Sequence, residues 1–400
     1  MMIYLLGIYF LYVFVKIYLA LLQINFVQNE AKKAAVVLPQ SEYESAARVA
    51  IVNQKFEIAS LVYHAVIFTM WVGCGLKFLN SLVVKTGGIG ENIIFVMSFL
   101  VISSLLELPL SIYETFVKDR RLGFSNTTPK IFALDLAKSL ALTLVFGSLF
   151  VWVVLLCIGF LGEFWWFWAF VLSFVVIIVI NLIYPTVNAP LFNKMKPLED
   201  GELKSSIEGL LIECGFKSSG VFTIDASKRD NRLNAYFGGF GATKRVVLFD
   251  TLVSKLTQSE IIAVLGHELG HFKHKDIFKM IAVSAVMLFL LFALFGNIPN
   301  AAYSALGLSP NGGAIIVFLV LFSPIFSFVF SPVISAISRH NEFGADKFGA
   351  GVKSRTDMIS ALKKLGSENK AFPKAHPLYA FVYHSHPSLF ERISELESED

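Results

Sequence analysis

The sequence predicts a mostly α-helical membrane protein, in which a bundle of seven spanning helices is joined to a polar domain with a small β element. Two observations support this class. Hydrophobic residues make up 55% of the 400 positions and charged residues only 16%, whereas a soluble domain has about 25% charged residues. Seven stretches are also apolar over the length of about 20 residues that a spanning helix needs. This composition excludes a disordered chain, a coiled-coil rod and an ordinary soluble globule.

The seven predicted spans alternate with shorter or more polar segments. The fourth, fifth and seventh contain no charged residue. The first is interpreted as a retained span, because it lacks the basic N-terminal region and the small-residue cleavage pattern of a signal peptide. The predicted spans are 3–22, 58–80, 93–113, 139–162, 164–187, 280–299 and 314–337.

Basic residues predict the orientation of these spans, since Lys and Arg remain preferentially on the cytoplasmic side. The connections 25–57 and 114–138 carry four and five of them, whereas the connections that would face the other side carry at most one. An outside N-terminus fits this distribution. The polar stretches 188–279 and 338–400 are then both cytosolic.

Those two polar stretches are together long enough for one modest domain. Spans six and seven separate them along the chain, so we expect the two parts to meet at the membrane face. The predicted division is spans one to five with their loops, a first polar part, a membrane hairpin and a second polar part: 1–187, 188–279, 280–337 and 338–400.

Local signals predict the elements of the first polar part. Apolar residues recur at helical spacing over Leu203–Cys214, and Gly215 marks the end of that helix. Val221–Ile224 and Val246–Phe249 are typical of short strands. Three glycines between the strands indicate a tight connection; they are Gly238, Gly239 and Gly241.

The next predicted helix contains a metal-binding motif. It begins at a capping box formed by Thr257 and Glu260 and continues through His267-Glu-Leu-Gly-His271. Histidines four residues apart lie on one helical face, so both imidazoles can bind a single metal ion. Glu268 is turned aside from them, where its carboxylate can accept a proton from a water that zinc has acidified. The pattern is typical of zincin-like metalloproteases.

A third protein ligand is required, because a catalytic zinc site has three protein ligands and one open position. Glu342 and Asp346 follow span seven and share a face if their segment is helical. One of them can bind the metal while the other orients a ligand histidine. Spacing alone leaves a solvated acidic pair equally open, and His340 is a competing ligand. His274 and Asp276 are interpreted as ordinary polar residues at a helix end.

These motifs occur in an order that resembles the CAAX prenyl protease 1 family, which are integral membrane zinc endopeptidases with seven spans. The resemblance extends over most of the chain. Besides His267–His271 it rests on Tyr184-Pro-Thr with Ala189-Pro-Leu-Phe-Asn193, Asn234-Ala-Tyr-Phe237, Lys244-Arg-Val-Val-Leu-Phe-Asp-Thr-Leu252, Asn341-Glu-Phe-Gly-Ala-Asp346, and Pro377-Leu-Tyr379 with Tyr383-His-Ser-His-Pro387 and Glu391-Arg392.

The resemblance implies a role for each residue that matches the metal motifs. His267, His271 and Glu342 would be the metal ligands and would bind one Zn²⁺ per chain. Glu268 would be the catalytic carboxylate. Asp346 would lie behind the ligands and orient one of them.

The resemblance also implies residues that act on the substrate. His386 and Arg392 would stand near the scissile carbonyl and stabilise the oxyanion, since donors aimed at such a charge lower the barrier by a few kcal/mol each. The strand against which the substrate backbone pairs would include Asn234, Ala235 and Tyr236. For Tyr236, a place in a half-buried core strand is nearly as well supported.

Lys16, His64 and Glu107 lie inside predicted spans, and Lys77 lies near the end of the second. Such residues are unfavourable in lipid, so we expect them to face protein or water. The resemblance implies a water-filled chamber enclosed by the seven helices, which would receive them. Lys16, His64 and Glu107 are not assigned to catalysis.

The primary functional hypothesis is an endopeptidase that cuts near the C-terminus of prenylated CAAX proteins. The alternative is a membrane quality-control protease that removes misfolded or stuck polypeptides, which is favoured if the chain is bacterial. A metal transporter or scaffold is disfavoured, because transporters place their ligands near the membrane midplane.

The expected partners are the lipid bilayer and a polypeptide, prenylated or not. Nucleic acid is excluded, because the 34 basic and 30 acidic residues nearly balance. The expected membrane is the inner membrane of a bacterium or the endoplasmic reticulum of a eukaryote, with the active site on the cytosolic side.

Overall fold

The computed structural model describes residues 1–183, 189–239 and 244–398. Within this part of the chain, seven helices are long and apolar enough to cross a membrane, which confirms the predicted number. Each coincides with one predicted span, although residues 184–187 of the fifth lie outside the described residues. The spans, numbered one to seven, are Met2–Glu30, Gln40–Val83, Ile89–Arg121, Pro129–Phe160, Gly162–Ile183, Asp276–Gly296 and Gly312–Val352.

Several spans continue beyond the apolar stretch that predicts them. Span two has 44 residues and span seven has 41, which is more than 60 Å of helix at 1.5 Å per residue, against about 30 Å of hydrocarbon. Their polar ends therefore project from the membrane. On span seven, the projecting end carries Glu342 and Asp346. Three spans each contain one π-helical turn, at Trp71–Gly75, Glu114–Lys118 and Thr143–Gly147.

Four strands, eight shorter α-helices and one 3-10 helix, Ala226–Lys228, are described outside the spans. The strands are β1 (Met195–Pro197), β2 (Val221–Ile224), β3 (Ala235–Gly238) and β4 (Arg245–Phe249). The helices are α1 (Ala189–Phe192), α2 (Glu202–Glu213), α3 (Asp250–Lys255), α4 (Gln258–Lys273), α5 (Asn300–Ala305), α6 (Arg355–Glu368), α7 (Pro377–Tyr383) and α8 (Leu389–Ser398).

Most local predictions are confirmed with small shifts of boundary. Helix α2 ends just before Gly215, whose φ of +65° suits a glycine at a helix end. Strand β2 has the predicted bounds, and β4 is one residue longer. Span six ends at Gly296 rather than at 299, and Pro299 is the N-cap residue of α5. The four-part domain division stays a prediction.

The four strands form one sheet in the order β1-β2-β4-β3. Strands β2 and β4 are parallel, and the outer strands β1 and β3 run antiparallel to them. Strand β3 therefore lies at an edge, with β4 on one side only. The predicted tight connection joins β3 to β4, where Gly239 adopts a φ of +92°. Gly241 lies outside the described residues, as does the Tyr184-Pro-Thr motif.

Helix α4 packs between the sheet and the projecting end of span seven. Its apolar residues Ile261, Leu265 and Leu269 are buried in one core with β2 and β4. On its other face, glycines allow close contact with span seven. A Cβ at Gly349 would lie 2.9 Å from the backbone nitrogen of His267, and one at Gly270 would lie 2.9 Å from the Cα of Ala345. This contact places the two helices that carry the metal motifs side by side.

We therefore expect Gly349→Ala to destabilise the protein by about 1–3 kcal/mol, as overpacking of a tight core does. The added methyl must push α4 away from span seven. The measurement is thermal unfolding of the purified protein in detergent. Gly351→Ala is the matched control, because Gly351 lies on the same helix with nothing within 4 Å of the added carbon. Equal melting temperatures for the two variants would show that the helix contact tolerates the methyl group.

Candidate active site

The start of α4 is fixed by the predicted capping box. The backbone nitrogen of Thr257 donates to Oε2 of Glu260 at 2.7 Å, and the Thr257 hydroxyl accepts from the Glu260 nitrogen at 3.4 Å. Glu260 is buried and also accepts from Ser360 and Lys364 of α6, at 2.6 and 2.8 Å. The helix is thus anchored at its first turn, which fixes the positions of the histidines three turns later.

His267, His271 and Glu342 meet between α4 and span seven. Each offers one ligand atom, and these atoms all lie within 4.8 Å of one another. Nε2 of His267 is 3.5 Å from Glu342 Oε2, and Nε2 of His271 is 3.3 Å from Glu342 Oε1. The competing candidate His340 is exposed and lies outside this group. The long helix of span seven turns Glu342 toward the histidines and His340 away from them.

The charge distribution at this site calls for a cation. Glu342 is only 3% exposed, and among the described residues its Oε2 is a buried oxygen without a hydrogen-bond partner. A buried carboxylate oxygen in this state is costly unless a positive charge neutralises it. Burial alone would lower the pKa of His271, yet the carboxylates of Glu342 and Asp276 raise that pKa to about 9. Two imidazoles and a carboxylate are a donor set of catalytic zinc sites, so the residues fit that ion.

Asp346 lies behind His267. Its Oδ1 is 2.8 Å from Nδ1 of His267, so it can fix the tautomer that leaves Nε2 free for a metal. Arg392 donates to both oxygens of Asp346, at 2.8 and 2.6 Å. Two nitrogens of the guanidinium thus bind Asp346, and one of them also lies 3.7 Å from Glu342 Oε2.

Asp276 does not have the role that the sequence suggests. It is not an ordinary polar residue at a helix end, because its Oδ2 lies 3.0 Å from Nδ1 of His271. The left-handed conformation of Lys275, with φ +58°, turns the chain so that span six starts beside the histidine. Its nearness to the second histidine in sequence is the only signal for this role. His274 is exposed at the end of α4 and matches its interpretation.

A cleft of about 420 Å³ opens beside the histidines. Glu268 faces it, and burial raises the pKa of its carboxyl despite the nearby histidines. His386 also lines the cleft, with 57% of its side chain exposed and Nε2 3.3 Å from Glu342 Oε1. The predicted site residues that line the cleft are Asn234, Ala235, His267, Glu268, His386 and Arg392.

The edge strand β3 begins at this cleft. Asn234 and Ala235 line it, whereas Tyr236 does not and packs instead against Phe249, with ring centroids 6.4 Å apart. The segment before β3 is held by Asn369, whose side chain accepts from the backbone nitrogen of Leu233 at 2.7 Å and donates to its carbonyl at 3.2 Å. Sequence reasoning missed Asn369, because nothing local links it to a strand 136 residues away.

A second, polar cavity of about 490 Å³ lies among spans one, two and three. It receives Lys16, His64 and Glu107, which confirms that these residues face protein or a polar space rather than lipid. Lys16 pairs with Glu57 at 2.9 Å, and His64 pairs with Glu107 at 2.9 Å. Lys16 therefore has an opposite charge beside it, and the Glu107 carboxylate has a hydrogen-bond partner in His64.

Known protein families match both the N-terminal and the C-terminal half of the chain. The model of peptidase family M48 matches residues 197–400, and that of the CAAX prenyl protease N-terminal, five membrane helices, matches residues 23–194. CAAX prenyl protease 1 of Saccharomyces cerevisiae is 36% identical over 329 residues, which cover 77% of this chain and 72% of that protein. This chain belongs to the CAAX prenyl protease 1 family, within peptidase family M48.

Other relatives extend the match to nearly the whole chain. The CAAX prenyl protease 1 homolog of Taenia solium is 31% identical, covering 89% of this chain and 86% of that one. The crystal structure of S. mikatae Ste24p superposes with a TM-score of 0.88 at 30% identity, covering 98% and 97% of the two chains. Family membership confirms the mostly helical seven-span fold. It also identifies the protein as a membrane-embedded metalloprotease that acts on polypeptides.

Proposed function

We propose that the protein is a zinc-dependent endopeptidase that hydrolyses peptide bonds near the C-terminus of prenylated CAAX proteins. The observation that carries the proposal is the meeting of His267, His271 and Glu342 beside Glu268, around a buried carboxylate oxygen that lacks a hydrogen-bond partner among the described residues. The relatives from S. cerevisiae and T. solium are named CAAX prenyl proteases, which supports the substrate class.

Nε2 of His267, Nε2 of His271 and the carboxylate of Glu342 would hold one Zn²⁺. Three protein ligands leave the open position that separates a catalytic zinc site from a structural one. Bound there, the ion would polarise the scissile carbonyl and make a water acidic. Side chains of the protein transfer the proton, stabilise the oxyanion and bind the substrate.

Glu268 accepts a proton from the attacking water and returns it to the leaving nitrogen. Its place in the cleft, next to His267 on α4, suits both transfers. His386 is the exposed donor that stabilises the developing oxyanion. Arg392 also lines the cleft and can stabilise the same charge, while its Nε and one Nη hold Asp346, and through it His267, in place.

The substrate backbone pairs with the outer edge of β3 at Ala235, as an added strand does. Asn234 lines the cleft beside that edge, because its carbonyl accepts from the Phe249 nitrogen of β4 and its side chain accepts from the Ala235 nitrogen. Tyr236 supports this edge from the core side rather than from the cleft. Apolar side chains form the far wall of the cleft and can receive an apolar substrate residue. They are Leu252, Val264, Met358, Leu362, Leu365 and Leu389.

The distribution of basic residues supports a cytosolic active site, because the connections rich in Lys and Arg lie on the side of the polar domain. In a eukaryotic cell this membrane is the endoplasmic reticulum, and in a bacterium it is the inner membrane. The proposal is consistent with one polar domain assembled from 188–279 and 338–400.

We expect a prenylated C-terminal peptide to be cleaved at least tenfold more efficiently than its unprenylated twin. Each buried methylene of the lipid adds about 0.8 kcal/mol of favourable transfer, and the enzyme lies in the same membrane. The measurement is kcat/KM for both peptides with the full chain in lipid nanodiscs. The Glu268→Gln variant is the blank that removes contaminating proteolysis.

Equal efficiency for the two peptides would favour the quality-control protease, which selects misfolded or stuck polypeptides rather than lipid. A transporter remains disfavoured, because the ligands lie at the projecting end of span seven and not near its middle. Zinc-dependent cleavage of either peptide excludes a transporter or scaffold as the whole function.

A further inference from the structure

Asp276 contacts the side of His271 that faces away from Glu342. Its Oδ2 lies 3.0 Å from Nδ1 of His271, while Nε2 of the same ring lies 3.3 Å from Glu342 Oε1. The aspartate is only 4% exposed. The two ring nitrogens thus face two different carboxylates. An outer carboxylate in this position fixes the tautomer and the orientation of a metal-binding imidazole.

The same arrangement occurs at the other histidine. Nδ1 of His267 lies 2.8 Å from Asp346, which in turn binds Arg392. Asp276 likewise binds a cation, since Lys279 Nζ lies 2.7 Å from its Oδ1. Each histidine of the proposed site is therefore held at Nδ1 by a buried carboxylate that a basic residue holds in place. This similarity between the surroundings of the two histidines indicates that Asp276 orients His271 as Asp346 orients His267.

Asp276 also lies where span six meets the two helices that carry the proposed ligands. Asp276 is the first residue of span six, and Lys279 lies one turn later. Lys279 Nζ also lies 3.3 Å from Oδ1 of Asn341, the neighbour of Glu342 on span seven. The pair Asp276 and Lys279 thus links span six to both helices that carry the proposed ligands.

We propose that Asp276 is a positioning residue: it holds the Nδ1–H of His271 so that Nε2 points to the metal, and it ties the start of span six to the site. The inference rests on the proposed zinc site. Its alternative is a purely structural acid at a helix start, which would stabilise span six through the helix dipole. That alternative predicts no change in zinc affinity.

The test is the zinc affinity of the full chain in detergent, measured by competition with a chromophoric chelator. We expect Asp276→Ala to weaken zinc binding about 10–100-fold, the usual effect of removing such an outer carboxylate. Asp276→Asn keeps an acceptor oxygen without the charge, so we expect a smaller loss. The matched control is Asp357→Asn, because Asp357 also lies in the first turn of a helix but contacts Ser354. The control should bind zinc within twofold of the wild type.

Two further readouts separate positioning from stability. The melting temperature of metal-free Asp276→Asn should match that of the metal-free wild type, whereas the visible spectrum of its Co²⁺ form should shift. If Asp276→Ala fails to fold, the isosteric Asn variant alone carries the test. The inference would be overturned if the folded Asp276 variants bound zinc within twofold of the wild type and Asp276→Asn gave an unchanged Co²⁺ spectrum. A wild-type chain that binds no zinc would overturn the proposed function itself, and this inference with it.

Discussion

Replacement of Glu268 by Gln is expected to reduce peptide hydrolysis by about 10²–10⁴-fold, the range that a positioned acid–base group contributes. The amide keeps the shape of the carboxylate but cannot accept a proton. Metal content should stay at the wild-type value, because Glu268 lies outside the ligand group. The measurements are the single-turnover cleavage rate and the zinc content of the same preparation.

The matched control for this variant is Glu213→Gln, since Glu213 is exposed at the end of α2 and does not line the cleft. It should cleave at the wild-type rate. If Glu268→Gln also cleaved at that rate, the proton acceptor would have to be another group. Loss of zinc from Glu268→Gln would show that the carboxylate holds the metal rather than the proton.

Replacement of Glu342 by Ala is expected to remove both metal and activity. The change takes away one of three ligands and the buried charge that the cation balances, leaving two imidazoles. We expect zinc to fall from one ion per chain to less than about 0.1 after dialysis, since zinc sites in proteins need at least three protein ligands. Metal analysis of the dialysed protein checks this, and cleavage should be undetectable.

His340→Ala is the control for the third ligand, because His340 lies two residues away on the same helix and is exposed. It should keep its full complement of zinc. The opposite pattern, with normal zinc in Glu342→Ala and loss in His340→Ala, would move the third ligand to His340. His267→Ala should behave like Glu342→Ala.

The sequence predicts those features that short segments determine. Apolar stretches locate the seven spans, because any segment of that length and composition is stable only in the bilayer. Thr257 and Glu260 predict the start of α4, because a capping box is formed by neighbouring residues. The spacing of His267 and His271 likewise follows from the helical repeat.

Features made by distant segments are not predictable in this way. The parallel pairing of β2 with β4 leaves β3 at the edge, and the residues between those strands do not determine that order. The packing of Gly349 against His267 is a contact between two helices that the chain connects only through the membrane hairpin. Asp276 reaches His271 because Lys275 adopts a left-handed conformation, for which the sequence gives no clear sign.

The central claim is that one zinc ion is bound by side chains from α4 and from the projecting end of span seven. Anomalous diffraction from crystals of the purified chain, collected on both sides of the zinc absorption edge, tests it most directly. We expect a single zinc peak at about 2.0–2.2 Å from Nε2 of His267, Nε2 of His271 and a carboxylate oxygen of Glu342. A zinc-replete crystal with no peak there, or with the peak on other side chains, would contradict it.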